Sequence, residues 1–277
     1  MLSVSLIIPN RNNARFLPQC IESALAQTRP FAEIVIVDDC SDDDSVQVIE
    51  AYRRRHSQLR LIRLTRNVGV SAARNRGIRA SSSAFVTLLD ADDYYWNEKK
   101  NECEMRLIEA ALPCDTVAAF SDIMLVTAEG DRMFPLSAQT QIREGRIFNP
   151  LLYLDCLVPR DFVFSRRAFE ATDGFDHGSS LYEDWDFKLR LARVCEFRYT
   201  GESGVAYRQN PAGLSRAPLR QHVGAMRRVV WRNTAELGWP HRAAIRCRAM
   251  IGVFKFLRGG FRAWLKQLIL PRRGSGG

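Results

Sequence analysis

The 277-residue chain contains no GxGxxG pattern and no P-loop glycine run, so the common glycine-cradled phosphate sites are excluded as its way of holding a nucleotide. Its seven cysteines are odd in number and form no CxxC pair, which argues against a disulfide framework or a paired zinc site and reads as reduced, mostly buried thiols. No uninterrupted apolar stretch approaches the length of a membrane span. The first apolar run ends at Pro9 and reads as a strand, so neither a spanning helix nor a cleavable signal is expected. No internal repeat is visible. The length suffices for one large core or two small ones.

What the chain has is alternation. Ser3-Val4-Ser5-Leu6-Ile7-Ile8 is a β-branched run stopped by Pro9 and Asn10, and it predicts a first strand. Phe16, Leu17, Cys20, Ile21, Ala24 and Leu25 recur at helical spacing, predicting a helix that opens at Ala14. Glu33 to Val37 reads as a second strand ending in Asp38 and Asp39, and Ser41-Asp42-Asp43-Asp44 as the cap of a helix to about Arg55. A third strand over 59–64, a helix over 72–81 and an apolar strand over 84–89 follow. Strands separated by helices in this way imply a parallel sheet with helices on both faces.

The last of these strands ends in Asp90-Ala91-Asp92-Asp93. Three carboxylates at the carboxyl edge of a sheet stand where open α/β folds place ligands, and they repel one another unless a cation sits among them. Hard oxygen ligands suit Mg²⁺ or Mn²⁺. The same residues also suit a helix cap followed by solvated charge.

Taken in order, Ile7-Ile8-Pro9-Asn10, Val35-Ile36-Val37-Asp38-Asp39-Cys40-Ser41-Asp42, Asn67-Val68-Gly69-Val70-Ser71-Ala72-Ala73-Arg74-Asn75-Arg76-Gly77-Ile78 and Leu89-Asp90-Ala91-Asp92-Asp93 resemble family 2 glycosyltransferases of the GT-A fold. Gly174-Phe175-Asp176 and Tyr182-Glu183-Asp184-Trp185-Asp186 look like that family's acceptor-side helix and its "ED" motif. The resemblance covers roughly residues 2–216. It implies a Rossmann-like α/β domain with a mixed sheet flanked by helices: a nucleotide-sugar half over 1–115, an acceptor half over 116–218, and a basic helical extension over 219–277.

The resemblance and the chemistry together give each motif an expected task. A departing nucleoside diphosphate needs its charge neutralised, which a divalent cation does as a Lewis acid. Asp92 is the expected metal ligand, Mn²⁺ or Mg²⁺ the expected metal. Asp90 resembles the residue facing the ribose or the metal's water shell, and Asp93 supports either. Asp39 resembles an acceptor for the uracil N3–H; its alternative is a helix cap, a role for which Asp42 is better placed. Pro9 and Asn67 belong to the motifs lining the donor. Arg74 either reaches the base or phosphates or is a solvated helix charge. An acceptor hydroxyl needs a base behind it, and Asp184 resembles that base, whereas Glu183 points elsewhere because neighbouring helical residues diverge by about 100°. With one base and no carboxylate nucleophile, the family mechanism implied is a single inverting displacement. The alternative for Glu183, Asp184 and Asp186 is a first helical turn of dipole-favoured acids.

One segment departs from the family pattern. Where a Tyr-Arg-x-His stretch is common, this chain reads Tyr207-Arg208-Gln209-Asn210. Asn210 takes the position of a metal-ligating histidine and is a weaker donor. Arg208 is placed to contact the diphosphate; the alternative is a loop arginine held in a salt bridge. For the sugar itself, 136–149 offers no readable code.

The charge is uneven. Residues 219–277 hold thirteen Lys and Arg against a single acid, Glu236, a balance of +12, while the whole chain is +9 and residues 1–218 therefore −3. Met250, Val253, Phe254, Leu257, Phe261, Trp264, Leu265 and Leu268 recur at three and four, with Arg248, Lys255, Arg258, Arg262 and Lys266 largely between them. This predicts a basic amphipathic helix, interrupted at Gly259-Gly260, suited to an anionic membrane surface; its alternative is a helix packed on the catalytic domain. The expected protein is a metal-dependent transferase moving a sugar from a nucleotide-sugar, a UDP-sugar first, to a glycan or lipid-linked acceptor in bacterial surface glycan synthesis, at the cytoplasmic face of the membrane. A non-catalytic nucleotide-binding or nucleic-acid-binding α/β protein is the rival. It is disfavoured because the tail's aromatics lie on the apolar stripe rather than among the basic residues.

Overall fold

The computed structural model describes residues 2–112, 116–178, 181–209 and 217–269, with side chains described as far as Arg258. β1 (Val4–Asn10), α1 (Leu17–Leu25), β2 (Glu33–Asp38), α2 (Ser45–Arg53), β3 (Leu59–Arg63), α3 (Val70–Ala80) and β4 (Phe85–Leu88) alternate as expected. Every residue of β1, β2 and β4 is buried, the signature of strands covered on both faces. β5 (Tyr94–Tyr95), α4 (Lys100–Ala110), β6 (Val117–Val126), β7 (Arg132–Pro135), α5 (Phe148–Leu152), β8 (Phe164–Ser165), α6 (Arg166–Glu170), α7 (Glu183–Val194), β9 (Glu196–Arg208), α8 (Leu219–Arg232) and α9 (His241–Ile269) follow.

The first sheet has the order β3-β2-β1-β4-β8; its first four strands are parallel and β8 pairs antiparallel with β4. It is therefore mixed, as the family resemblance implies, and the alternation rule described its parallel part alone. The order reverses between β2-β1 and β4, so the carboxyl ends of β1 and β4 splay into the crevice where such folds bind ligands. A second sheet, β5-β9-β6-β7, has β6 and β9 parallel. The two sheets are laced together where Ala119 and Val163 exchange backbone hydrogen bonds of 2.9 and 2.8 Å.

Several local expectations differ from what forms. The first helix begins at Leu17 rather than Ala14, because Asn13 folds residues 14–16 into a turn by accepting from the Phe16 and Leu17 amides. At the start of α2 the capping carboxylate is Asp43, not Asp42: it accepts from the Ala14 and Ser45 amides at 2.9 and 3.0 Å, and Asp42 is exposed. α9 runs unbroken through Gly259-Gly260. Two glycines cost a helix about 1 kcal/mol each, and a helix already nucleated on a packed surface can carry that cost.

The tail is partly core. Met226, Val229 and Val230 of α8 and Ala249 and Val253 of α9 belong to the same buried cluster as Ile7 of β1, Val35 of β2 and Phe187 of α7. The anticipated single apolar stripe is split: Val253 is fully buried, while Phe254 and Ile251 face outward, and Phe261, Trp264, Leu265 and Leu268 lie outside the described side chains. Arg248 grips both oxygens of Asp155 at 2.8 and 3.0 Å and lies over the Tyr153 ring. Gly252 is what permits this approach, since a Cβ there would overlap the Tyr153 carbonyl.

Gly252→Ala should therefore push α9 off residues 153–155 and lower stability by about 1–3 kcal/mol in denaturant titration. An unchanged unfolding midpoint would mean that α9 does not rest on this carbonyl.

Candidate active site

β4 makes its last ladder bond when Leu89 N–H donates to the Ile7 carbonyl at 3.1 Å. The chain then turns at once, Asp93 N–H donating to the Asp90 carbonyl at 3.0 Å, so Asp90, Asp92 and Asp93 crowd the sheet's carboxyl edge. One oxygen from each lies within 4.8 Å of the others.

Two arginines answer this charge. Arg74, on α3, is only 1 % exposed: its Nη2 meets Asp90 Oδ1 and its Nη1 meets Glu183 Oε1, both at 2.9 Å. It is neither a solvated helix charge nor free to reach outward; it ties Asp90 at the end of β4 to the first turn of α7. The ring of Phe175 lies beneath its guanidinium at 5.4 Å and stacks on Phe187 at 4.2 Å. Asn75 fixes that ring by exchanging hydrogen bonds with the Phe175 backbone at 2.7 and 2.8 Å. Gly174 has φ +73°, and a Cβ on it would stand 2.6 Å from Asn75 Oδ1, which accounts for the Gly-Phe-Asp motif in structural terms.

Arg160 is the second cation, and sequence reading missed it. It comes from the segment leading into β8 and spans Asp90 Oδ2 at 2.9 Å and Asp93 Oδ2 at 2.6 Å, its Cζ 4.9 Å from the centre of the Tyr207 ring. Against the burial that would raise it, Arg160 and then Arg74 hold the Asp90 carboxyl below its ordinary value. Asp93 goes the other way: burial raises it well above normal despite Arg160. Burial also lifts Asp161, the neighbour of Arg160, to about 6.

Asp92 stands apart from this compensation. Among the described residues it has no cation within ion-pair distance, and burial followed by the charge of Asp90 raises its pKa. A half-buried carboxylate beside other carboxylates, with no cation paired to it, fits a hard divalent cation.

A second group of acids stands at the start of α7. Tyr182 precedes the helix in the left-handed region, φ +63°, and its hydroxyl hydrogen-bonds His222 Nδ1 of α8 at 2.9 Å. Glu183 and Asp184 then diverge as helix geometry demands: Glu183 turns inward to Arg74, while Asp184 keeps 31 % of its side chain in solvent. Lys188, one turn on, meets Asp184 Oδ2 at 2.9 Å and donates to the Val158 carbonyl at 2.8 Å. Burial alone would raise Asp184; Lys188, with Arg74 and Arg160 behind it, brings it down to about 2. For Glu183 burial outweighs Arg74 and the pKa rises. The (i, i+4) spacing was a readable signal for Lys188. None in the sequence points to Arg160.

The remaining candidates fall as follows. Asp39 is a cap, but for the loop entering α3 rather than for α2: its two oxygens accept from the Val68 and Gly69 amides at 2.7 and 2.8 Å. Asn67, exposed in the same loop, accepts from the Gly69 amide at 3.0 Å, and Pro9 lies in β1 opposite Val37. Arg208 donates its backbone N–H to Asp93 Oδ1 at 2.8 Å, while its side chain meets Gln19 and the Ala128 carbonyl and is clasped between Phe16 and Tyr94. It is buried and lies close enough to Asp92 to lower that carboxyl's pKa. Asn210 lies outside the described residues.

Comparison with known proteins bears on the family and the fold. Residues 5–170 match the model of the glycosyl transferase family 2. The succinoglycan biosynthesis protein ExoU of Rhizobium meliloti is 39 % identical over 73 % of this chain and 61 % of its own length, and the uncharacterized glycosyltransferase EpsJ of Bacillus subtilis 28 % over 78 % and 64 %. The chain thus spans a little under two thirds of these curated relatives. Among solved structures, S. aureus TarS 1-349 in complex with UDP-GlcNAc superimposes with a TM-score of 0.70 at 20 % identity, covering 92 % of this chain and 73 % of that one, which establishes a common fold. With the family model matching more than half its residues, the chain belongs to glycosyl transferase family 2.

Proposed function

We propose that the protein is an inverting, metal-dependent transferase that moves a sugar from a UDP-sugar to a saccharide or lipid-linked acceptor in bacterial surface glycan synthesis. The observation that carries this reading is the joining of Asp90, at the sheet edge, to Glu183, beside Asp184, through Arg74. Residues 1–115 would hold the donor and 116–218 the acceptor. Asp92, with Asp90 close by and with Asn210, would hold Mn²⁺ or Mg²⁺, which when bound neutralises the leaving diphosphate. Asp39, Pro9 and Asn67 would line the nucleotide, and Arg208 would face the diphosphate from beside Asp92. TarS has been crystallised with UDP and with UDP-GlcNAc, and relatives are named for succinoglycan biosynthesis, which supports the donor class and a polysaccharide product.

Asp184 would take the proton of the acceptor hydroxyl as it attacks the anomeric carbon. A base held at about 2 stays ionised but draws protons weakly. Lys188 therefore has to yield its contact as the acceptor arrives, and the proton moves onto a carboxylate whose pKa burial then raises. Glu183, neutralised by Arg74, orients the turn and takes no proton. The proposed attachment to an anionic membrane rests on the outward face of the tail: Trp239 is 80 % exposed, Phe254 65 % and Ile251 51 %, with Lys255 and Arg258 exposed beside the last two. On this reading the enzyme would sit on the inner face of the cytoplasmic membrane.

Asp92→Asn should abolish most transfer from UDP-sugars and remove the thermal stabilisation that Mn²⁺ adds to UDP binding. Asp184→Asn should cut turnover by about 10² or more and leave UDP affinity near wild type. Full wild-type turnover in excess chelator would overturn the metal's part, and equal loss of UDP binding in Asp184→Asn would move that residue out of the chemistry.

Lys188→Met removes the cation that lowers Asp184, so that pKa rises. Activity requires the ionised base and is lost as pH falls through its pKa; the acid limb of kcat/KM should therefore shift to higher pH in the variant. Superimposable pH profiles would contradict the pairing's role. For the membrane, Ile251→Ser combined with Phe254→Ser touches no core contact and should weaken binding to phosphatidylglycerol vesicles severalfold with turnover on a soluble acceptor unchanged; unaltered vesicle binding would remove this face from the account.

A further inference from the structure

Four of the six oxygens in the Asp90, Asp92 and Asp93 cluster are already spoken for. Asp90 gives Oδ1 to Arg74 and Oδ2 to Arg160; Asp93 gives Oδ2 to Arg160 and accepts the Arg208 amide at Oδ1, at distances from 2.6 to 2.9 Å. A guanidinium that forks across two carboxylates is a fixed counter-ion for both. It also repels a divalent cation brought to the same oxygens. Asp92 alone is left uncommitted, and one carboxylate is too few ligands to hold Mg²⁺ or Mn²⁺ without further oxygens.

We infer that Arg160 is a built-in counter-ion that makes metal binding depend on the donor: it withholds Asp90 and Asp93 from the metal, so that the cation is held tightly only when the diphosphate of the nucleotide joins Asp92. The inference rests on the metal-dependent UDP-sugar reading above and adds an ordering to it. Arg160 is a positioning residue. It pairs with Asp90 and Asp93 and so holds these two neighbouring carboxylates together without a metal between them. By reciprocity, whatever factor UDP contributes to metal affinity, the metal contributes to UDP affinity.

The test is Mn²⁺ binding measured directly by electron paramagnetic resonance titration of the free ion, with and without UDP, on the full chain. Wild type should bind Mn²⁺ weakly alone and at least about tenfold more tightly with saturating UDP. Arg160→Gln, which keeps a hydrogen-bonding amide and loses the charge, should bind Mn²⁺ about tenfold more tightly than wild type without UDP, with the UDP effect correspondingly smaller. If that variant binds Mn²⁺ alone no better than wild type, Arg160 does not withhold the carboxylates and the inference fails, while the metal-dependent reading stands on the wild-type titration. If wild type shows no Mn²⁺ binding even with UDP, the metal reading fails and the inference with it. Should Arg160→Gln not fold, Asp93→Asn in the otherwise wild-type chain decides the matter: Mn²⁺ affinity with UDP changing by less than about threefold supports withdrawal of Asp93 from the metal, and a loss as large as that of Asp92→Asn overturns it.

Discussion

The buried fork of Arg74 between Asp90 and Glu183 is the interaction on which the rest of the site depends. A guanidinium with almost no solvent must have partners, and breaking a buried ion pair costs about 3–5 kcal/mol because the survivor is left unpaired. The fold satisfies that demand by bringing together two motifs more than ninety positions apart in the chain. Everything that steadies Arg74 also fixes the spacing of the two motifs: the Phe175 ring below it, Asn75 clamping that ring's backbone, and Gly174 allowing the clamp to close.

A chain of compensated charges spreads from this fork. Arg160 carries it to Asp93, and Lys188 ends it at Asp184. The consequence is a set of carboxylates held in different states by their surroundings: Asp90 and Asp184 kept ionised by arginine and lysine, Asp92, Asp93 and Glu183 pushed upward by burial. Neighbouring acids whose pKa values are driven apart can serve different tasks, as the proposed donor site and acceptor base would require of residues so close together.

The parallel half of the fold was legible because its signals are local. Buried strands such as β1 and β2 read as continuous β-branched runs, α1 shows its apolar positions at three and four, and Asp90 and Asp92 appear where a strand has to end. The second sheet was not legible. β9 carries Thr200, Gly201, Glu202, Ser203 and Gly204 inside one strand, a composition that reads as a turn, and the ladder with β6 does shift register there, with Gly201 at φ +81°, before pairing resumes at Ser203. Arg160 lacked a signal for the same reason: its meaning comes from where β8 inserts beside β4, a tertiary fact. The tail was half legible. Its helix and its charge could be read, but its register on the body depends on Gly252 against Tyr153 and Arg248 on Asp155, and that register sends Phe254 outward while burying Val253.

The central claim is that donor edge and acceptor helix form one electrostatic unit that takes up a metal at Asp92. A crystal structure of the full chain grown with Mn²⁺ and UDP, with the manganese located by its anomalous signal, tests this most directly. The account predicts a single manganese peak within bonding distance of Asp92 and the diphosphate, with Arg74 still joining Asp90 to Glu183 and Arg160 still spanning Asp90 and Asp93. A peak between Asp90 and Asp93 with Arg160 displaced, or UDP bound with no manganese near Asp92, would contradict it.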